Sequence, residues 1–307
     1  MSAFPRSTSA IAPAKVNLAL SVGPVRADGF HELATVYQAV SLYDEVEIHR
    51  RSAGSGLSLA VSGTDADRVP TDDGNLAWQA AVLVAEEAGV RPDAHIVIRK
   101  SIPVAGGMAG GSADAAGMVL AADALWRVGM SRDRMMELTA QLGSDVSFAL
   151  HGGTAMGTGR GEVVTSAMAR GSYYWVFALS DKGLATPRVY AECDRLRTGR
   201  RVSEQKVPEE LMEALLAGDP VKVGAALSND LQPAAVSLRP ELDLVLDVGR
   251  DGAALGAIIS GSGPTVAFLV ADEESALDLA VSLSASGFAR SVARAHGPVP
   301  GARLKEL

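Results

Sequence analysis

The sequence predicts an α+β protein of two domains. Three observations predict it: 307 residues are enough for two separate cores, extended and helical patterns intermix in the first half, and a second such series resumes beyond about residue 165. In the first half Val16 to Val22, Val46 to His49 and the alternating His95-Ile96-Val97-Ile98-Arg99 read as strands. Between the last two, Asn75 to Ala88 sets Leu76, Ala80, Leu83 and Val84 at helical spacing, with Asp73 or Gly74 near its start and Gly89 at its end. A second helix, Ser112 to about Trp126, follows a glycine loop. A third runs from Ser131, its N-cap, to Leu142 before Gly143.

In the second half Tyr174 to Leu179 is an apolar strand, and the polar, basic segment Arg195 to Lys206 reads as an exposed loop. Helical patterns at Pro208 to Ala217 and Leu242 to Val248 precede a strand (Ala257 to Ser260), a turn (Gly261 to Pro264), a strand (Thr265 to Val270) and a helix (Glu273 to Ala285). Domains are therefore expected at 1–165 and 166–307, with no internal repeat.

Composition narrows the function. No apolar run reaches the roughly 18 to 20 residues that would cross a bilayer. The segment MSAFPRSTSAIAPAK lacks the apolar core of a secretory signal, and the single Cys193 has no internal partner. A cytoplasmic protein without a membrane partner is expected. The net charge is −8 and the basic residues are scattered, which excludes the footprint of a nucleic-acid binder. A small anion stays open, because a glycine loop entering a helix offers backbone N–H donors without net positive charge. Nothing in the sequence fixes an oligomeric state.

Such a loop is present: Pro103-Val104-Ala105-Gly106-Gly107-Met108-Ala109-Gly110-Gly111-Ser112-Ala113-Asp114-Ala115-Ala116 lies between a strand and an alanine-rich helix. Each glycine costs roughly 0.5–1 kcal/mol against alanine in regular structure, so four within six positions point to a tightly fitted ligand rather than a flexible turn. A Walker A loop is excluded because Gly111 runs straight into Ser112 with no lysine between. A dinucleotide fingerprint is excluded because no three of these glycines have G-x-G-x-x-G spacing.

The loop resembles the second signature of the GHMP kinases. Ala12-Pro13-Ala14-Lys15-Val16-Asn17-Leu18 resembles their first, and Ser260-Gly261-Ser262-Gly263-Pro264-Thr265 their third. The resemblance implies a two-domain GHMP kinase fold, an N-terminal ribosomal-protein-S5-like domain followed by a C-terminal ferredoxin-like α/β sandwich. It implies ATP as co-substrate, held along Pro103 to Ala113 by backbone N–H groups, with Mg²⁺ bridging the phosphates. Gly143-Ser144-Asp145-Val146 resembles the segment bearing the catalytic aspartate, so Asp145 is expected to orient or accept the substrate's proton. Lys15 is its expected partner, and its apolar surroundings favour burial beside a carboxylate over a solvated surface charge. Asn17 would bond to the substrate.

Asp28-Gly29-Phe30-His31-Glu32-Leu33 resembles the cytosine-binding stretch of the GHMP branch that acts on a cytidine-diphosphate-linked methylerythritol. Phe30 would stack on the base and His31 bond to its polar edge. Leu184-Ala185-Thr186-Pro187-Arg188-Val189-Tyr190 resembles that branch's Thr-Pro segment, so Thr186, Pro187 and Tyr190 join the substrate site, with Tyr190 on the opposite face of the base. Asn229-Asp230-Leu231-Gln232-Pro233 resembles a further stretch without an assigned contact. The implied reaction is phosphorylation of a 2-hydroxyl on the non-mevalonate route to isoprenoid precursors. The alternatives are a GHMP kinase of the homoserine or mevalonate type and a non-catalytic nucleotide-binding regulator.

One departure stands out. Where the family often has Ser-Ser-Asn, this chain has Ser112-Ala113-Asp114. The Asp114 carboxylate either approaches Mg²⁺, directly or through water, or points outward and serves the helix dipole.

Overall fold

The computed structural model describes residues 5 to 305 except 105, 201, 203 and 253. Two long strands organise the first half: β1 (Ser7–Val25) and β2 (His31–Arg50) pair antiparallel over nearly their whole length. The expected stretches Val16 to Val22 and Val46 to His49 are parts of these strands. Their extensions were hidden because they contain Ala10, Ala12 and Ala14, or Thr35 and Gln38, residues with weak strand patterning that are nonetheless buried.

β3 (Leu57–Gly63) precedes α1 (Leu76–Glu87), which is capped by Asn75 rather than by Asp73 or Gly74: Asn75 Oδ1 accepts from the Ala77 N–H at 2.8 Å. β4 (Ala94–Lys100) pairs antiparallel with β2 and parallel with β3. α2 (Gly110–Trp126) starts two residues before the expected Ser112. α3 (Arg132–Leu142) starts as expected, with Ser131 Oγ accepting from the Arg134 N–H at 3.2 Å. α4 (Ser144–His151) and the hairpin β5 (Thr154–Thr158) and β6 (Val163–Ser166) complete this half, β5 lying along β2.

β7 (Tyr173–Leu179) is apolar throughout because both its faces are covered: Trp175 and Phe177 join the core of the first sheet, whereas Val176 and Ala178 pack under the helices of the second half. α5 (Thr186–Arg197) takes the first three residues of the expected basic loop into its last turn, where Arg195 bonds back to Glu192 at 2.7 Å. There follow α6 (Glu209–Ala217), α7 (Pro220–Ala225), β8 (Ser228–Asn229), α8 (Gln232–Leu238), α9 (Glu241–Asp251), β9 (Gly256–Ile259), β10 (Val266–Val270), α10 (Glu273–Ser286), β11 (Ser291–Gly297) and β12 (Arg303–Leu304).

The first sheet has the order β12-β1-β2-β4-β3, with β8 added to β1 and the β5–β6 hairpin to β2; the second is antiparallel, β11-β7-β10-β9. The two halves interlock. β8 and β12 belong to the second half of the chain yet pair with β1, and Trp175 Nε1 donates to Gln38 Oε1 at 2.9 Å. No helix of the described residues is long and apolar enough to cross a membrane.

Candidate active site

Lys15 and Asn17 are two residues apart on β1 and so share one face. Register shifts between Pro13 and Ala14 and between Asn17 and Ala19 flank them and kink the strand at the pair. Both side chains are buried. Lys15 Nζ donates to Asn17 Oδ1 at 2.6 Å, Asn17 Nδ2 to Thr35 Oγ1 at 2.9 Å, and Thr35 Oγ1 to the Ala19 carbonyl at 2.7 Å. The Lys15 backbone N–H donates to the Met108 carbonyl at 3.2 Å, which fastens the strand to the glycine loop.

Gly143, at φ 149°, turns the chain into α4 and brings Asp145 into the first turn. Asp145 Oδ2 lies 3.7 Å from Lys15 Nζ. Tyr37 stands opposite Asn17 in the β1–β2 register, with its hydroxyl facing Ser144 and Asp145. Burial, reinforced by the Asp145 charge, pushes this phenol well above its ordinary range, so it keeps its proton and has an O–H to donate to a carboxylate. Sequence reasoning missed Tyr37, because its only signal is its register against Asn17 and the start of β2 was not legible.

The glycine loop has several neighbours that explain its composition. A Cβ on Gly107, at φ +74°, would lie 2.3 Å from the Ser260 carbonyl oxygen, and one on Gly110 would lie 3.1 Å from Lys100 Nζ. The close approach is therefore partly by the protein itself. Gly111 meets nothing nearer than Leu76 at 3.9 Å, and Gly111 and Ser112 line the cleft at the start of α2. Ala105, expected at ATP, lies outside the described residues. Met108 and Ala113, also expected there, are fully buried and are not among the residues that line the cleft.

Asp114 neither points outward nor stands open. It is 1% exposed, and its Oδ2 accepts from Lys100 Nζ at 2.7 Å, while Oδ1 has no hydrogen-bond partner among the described residues. Lys100 also donates to Asp44, whose other oxygen accepts from the backbone N–H groups of Ser101 (2.6 Å) and Ile102 (2.8 Å) at the loop entrance. Burial pushes the Asp114 carboxyl up to about 8, with Lys100 working against that and Asp44 adding to it. Burial pulls the Lys100 ammonium down, but the two carboxylates outweigh it and the net shift is upward. One ammonium faces two buried carboxylates, and Asp114, whose Oδ2 is bonded to Lys100, is the one whose carboxyl is pushed up. Sequence reasoning missed both Lys100 and Asp44.

The third motif closes over this assembly. Ser260 Oγ donates to the Gly107 carbonyl at 3.1 Å, and a Cβ on Gly261 would meet Lys15 Nζ at 3.3 Å and Asn17 Oδ1 at 3.4 Å. Asn229 braces the motif by donating to the carbonyls of Ile259 (2.7 Å) and Gly261 (2.8 Å), a contact the sequence did not assign. The Thr186 and Ser262 hydroxyls bond at 2.9 Å and tie α5 to the same turn.

A cleft of about 520 Å³ runs past many of these groups. Lys15, Asn17, Asp145, the glycine loop, Thr186 and Tyr190 line it, as do Tyr37, Leu33 and Arg160. Phe30, His31 and Pro187 are not among its lining residues. Phe30 is exposed beneath the Arg160 guanidinium, 4.8 Å from its ring centroid. His31 is buried, its ring 4.9 Å from that of Tyr190 and its Nε2 3.0 Å from Asp194 on α5. Asp194 was out of reach of sequence reasoning because α5 itself was not expected.

This constellation of strand lysine, first-turn aspartate and glycine loop is that of a small-molecule kinase. The family described as GHMP kinases N terminal domain matches residues 75–153, and that described as GHMP kinases C terminal matches residues 211–289. The chain belongs to the GHMP kinases and has their two-domain fold. It is 54% identical to 4-diphosphocytidyl-2-C-methyl-D-erythritol kinase of Thermobifida fusca, over 98% of this chain and 99% of that one. It is 52% identical to the protein of the same name from Mycolicibacterium smegmatis, over 95% of this chain and 90% of the relative. A crystal structure of 4-(cytidine 5'-diphospho)-2C-methyl-D-erythritol kinase superposes with a TM-score of 0.77 at 32% identity, covering 94% of this chain and 98% of the other. Within the GHMP kinases, the chain is a member of the 4-diphosphocytidyl-2-C-methyl-D-erythritol kinase family.

Proposed function

We propose that this chain transfers the γ-phosphate of ATP to the 2-hydroxyl of 4-diphosphocytidyl-2-C-methyl-D-erythritol. The observation that carries the reading is the Lys15–Asp145 couple, 3.7 Å apart, opening into the same cleft as the glycine loop. Phosphoryl transfer is mostly positioning and charge stabilisation. The substrate oxygen attacks the γ-phosphorus, its proton passes to Asp145, and the bond to the β–γ bridging oxygen breaks to release ADP. Lys15, anchored by Asn17, stands 3.7 Å from Asp145 and faces the charge that develops on the transferring group. Tyr37 donates towards Asp145 and Asn17 stands ready for the substrate. Gly111 and Ser112 present backbone N–H groups to the ATP phosphates at the start of α2.

The cytidine end fits the neighbouring wall. With Nε2–H donated to Asp194, the His31 ring keeps Nδ1 as an acceptor for a cytosine amino group. Tyr190 beside it offers an aromatic face, Phe30 supplies a second, and Thr186 and Pro187 begin the helix that carries Tyr190.

Mg²⁺ would neutralise phosphate charge when it arrives with ATP. Asp114 does not fit a direct ligand, because Lys100 occupies one oxygen and the other is enclosed. No group of three His, Cys, Asp or Glu among the described residues could hold an ion alone, so the phosphates themselves would supply the principal ligands. We further propose domains of 1–165 and 166–307, supported by the division into two sheets, and a cytoplasmic enzyme, supported by the single cysteine.

The test is a transfer assay with ATP and three acceptors: the cytidyl sugar alcohol, homoserine and mevalonate. Phosphorylation of the first alone, inhibited competitively by cytidine nucleotides, is expected. Preference for either of the others would overturn the substrate, and no transfer to any would favour a binding protein.

A further inference from the structure

The cleft has four lining cations among the described residues: Lys15, Arg68, Lys100 and Arg160. Three are committed. Lys15 serves Asn17 and Asp145, Lys100 lies between Asp44 and Asp114, and Arg68 donates to the Asp181 carbonyl at 2.9 Å. Arg160 differs: among the described residues its guanidinium has one carboxylate partner, Glu162, at 3.9 Å, too far for a hydrogen bond. Its side chain is 43% exposed, and its charge is available to a ligand.

The position of Arg160 is built by the turn between β5 and β6. The Gly159 carbonyl accepts from the Leu33 N–H at 2.7 Å, and the Arg160 N–H donates to Glu162 Oε2 at 2.6 Å. Gly161, at φ +100°, sits so close to Tyr37 that a Cβ would be 2.6 Å from the hydroxyl oxygen. The turn that carries Arg160 is thus fastened to Leu33 and packed against Tyr37, and the Arg160 side chain lines the cleft and covers the Phe30 ring.

We infer that Arg160 binds the diphosphate of the nucleotide-linked substrate. The inference rests on the cytidyl reading above. In a cytidine diphosphate ester the phosphates connect the base to the alcohol, so the cation they meet must stand between the aromatic that stacks on the base and the carboxylate that receives the hydroxyl proton. Arg160 lies over the Phe30 ring and lines the same cleft as Tyr37 and Asp145. A guanidinium offers a planar fork of donors suited to two phosphate oxygens at once, which a lysine does not. Neither composition nor any signature in the sequence singles this arginine out.

The experiment titrates cytidine, CDP and an unreactive ATP analogue into wild type, Arg160→Gln and Arg160→Lys, with steady-state kinetics on the cytidyl sugar alcohol. In Arg160→Gln, CDP affinity is expected to fall about ten-fold or more while cytidine changes less than about two-fold. The KM for the cytidyl substrate should rise with it, the KM for ATP should stay, and Arg160→Lys should recover part of the loss. Equal losses for CDP and cytidine would reduce Arg160 to a support for Phe30, a rise confined to ATP would move it to the other nucleotide, and no change would remove it; each overturns the inference. A wild type that binds no CDP overturns this inference and the cytidyl reading together, whereas CDP binding indifferent to Arg160 overturns this inference alone.

Discussion

Lys15 Nζ is held 2.6 Å from Asn17 Oδ1 and stands 3.7 Å from Asp145 Oδ2, so the amide fixes the ammonium beside the carboxylate without a hydrogen bond between the two charges. The two residues come from a strand and a helix separated by 130 positions in the sequence. Three loops meet to make the contact: the Met108 carbonyl takes the Lys15 N–H, Gly143 turns Asp145 inward, and Gly261 closes on the lysine head.

Replacing the ammonium should affect turnover more than binding. Lys15→Met is expected to lower kcat by roughly 10²–10³-fold, the range for losing one group aimed at developing charge, with smaller changes in either KM. Rapid-quench measurement of the transfer step checks this, and a KM-only effect would assign Lys15 to binding instead.

The buried pair under the loop gives a pH signature. Asp114 holds its proton to about 8 in the folded chain against 3.8 ordinarily, so between those values the folded state binds a proton that the unfolded chain has released. Stability contributed by this group is intact below the lower value and falls as pH rises towards the upper one. Asp114→Asn should flatten that slope, so that its Tm relative to wild type rises between pH 4 and pH 8.5, by about 2–4 °C for each kcal/mol of the penalty removed. Melting curves running parallel across pH would contradict the shift.

Gly107 is predicted to tolerate no side chain. Gly107→Ala places a Cβ at a positive φ and 2.3 Å from the Ser260 oxygen, with an expected loss of roughly 1–3 kcal/mol in denaturant titrations and a weaker grip on ATP. A variant of native stability and affinity would show that the two motifs are not locked together.

Much of this was legible in the sequence because it is local. The three signatures are contiguous, and a strand face or helix cap needs only its own residues: Lys15 with Asn17 on β1, Ser131 at the cap of α3. What stayed hidden depends on pairing. Tyr37 is defined by its register against Asn17, Lys100 and Asp44 by a contact between neighbouring strands, and Asp194 by a helix whose polar face masks its spacing. The four glycines misled in part, since Gly107 and Gly110 make room for Ser260 and Lys100 as well as for a ligand.

Asp194 offers a test of the base-binding wall that leaves the chemistry alone. Asp194→Ala frees His31 Nε2 and lets the ring change tautomer, so the KM for the cytidyl substrate should rise several-fold, about 1 kcal/mol, with kcat little changed. Comparing kcat and KM separates this from a defect in transfer, which a fall in kcat alone would indicate.

The most direct measurement is single-turnover phosphoryl transfer from radiolabelled ATP to the cytidyl sugar alcohol by Asp145→Asn, beside an equilibrium titration of ATP. The variant should bind ATP with wild-type affinity yet transfer phosphate at least about 100-fold more slowly, as expected when the group that takes the proton is removed. Transfer at the wild-type rate would show that Asp145 is not the base and that the Lys15 couple is structural.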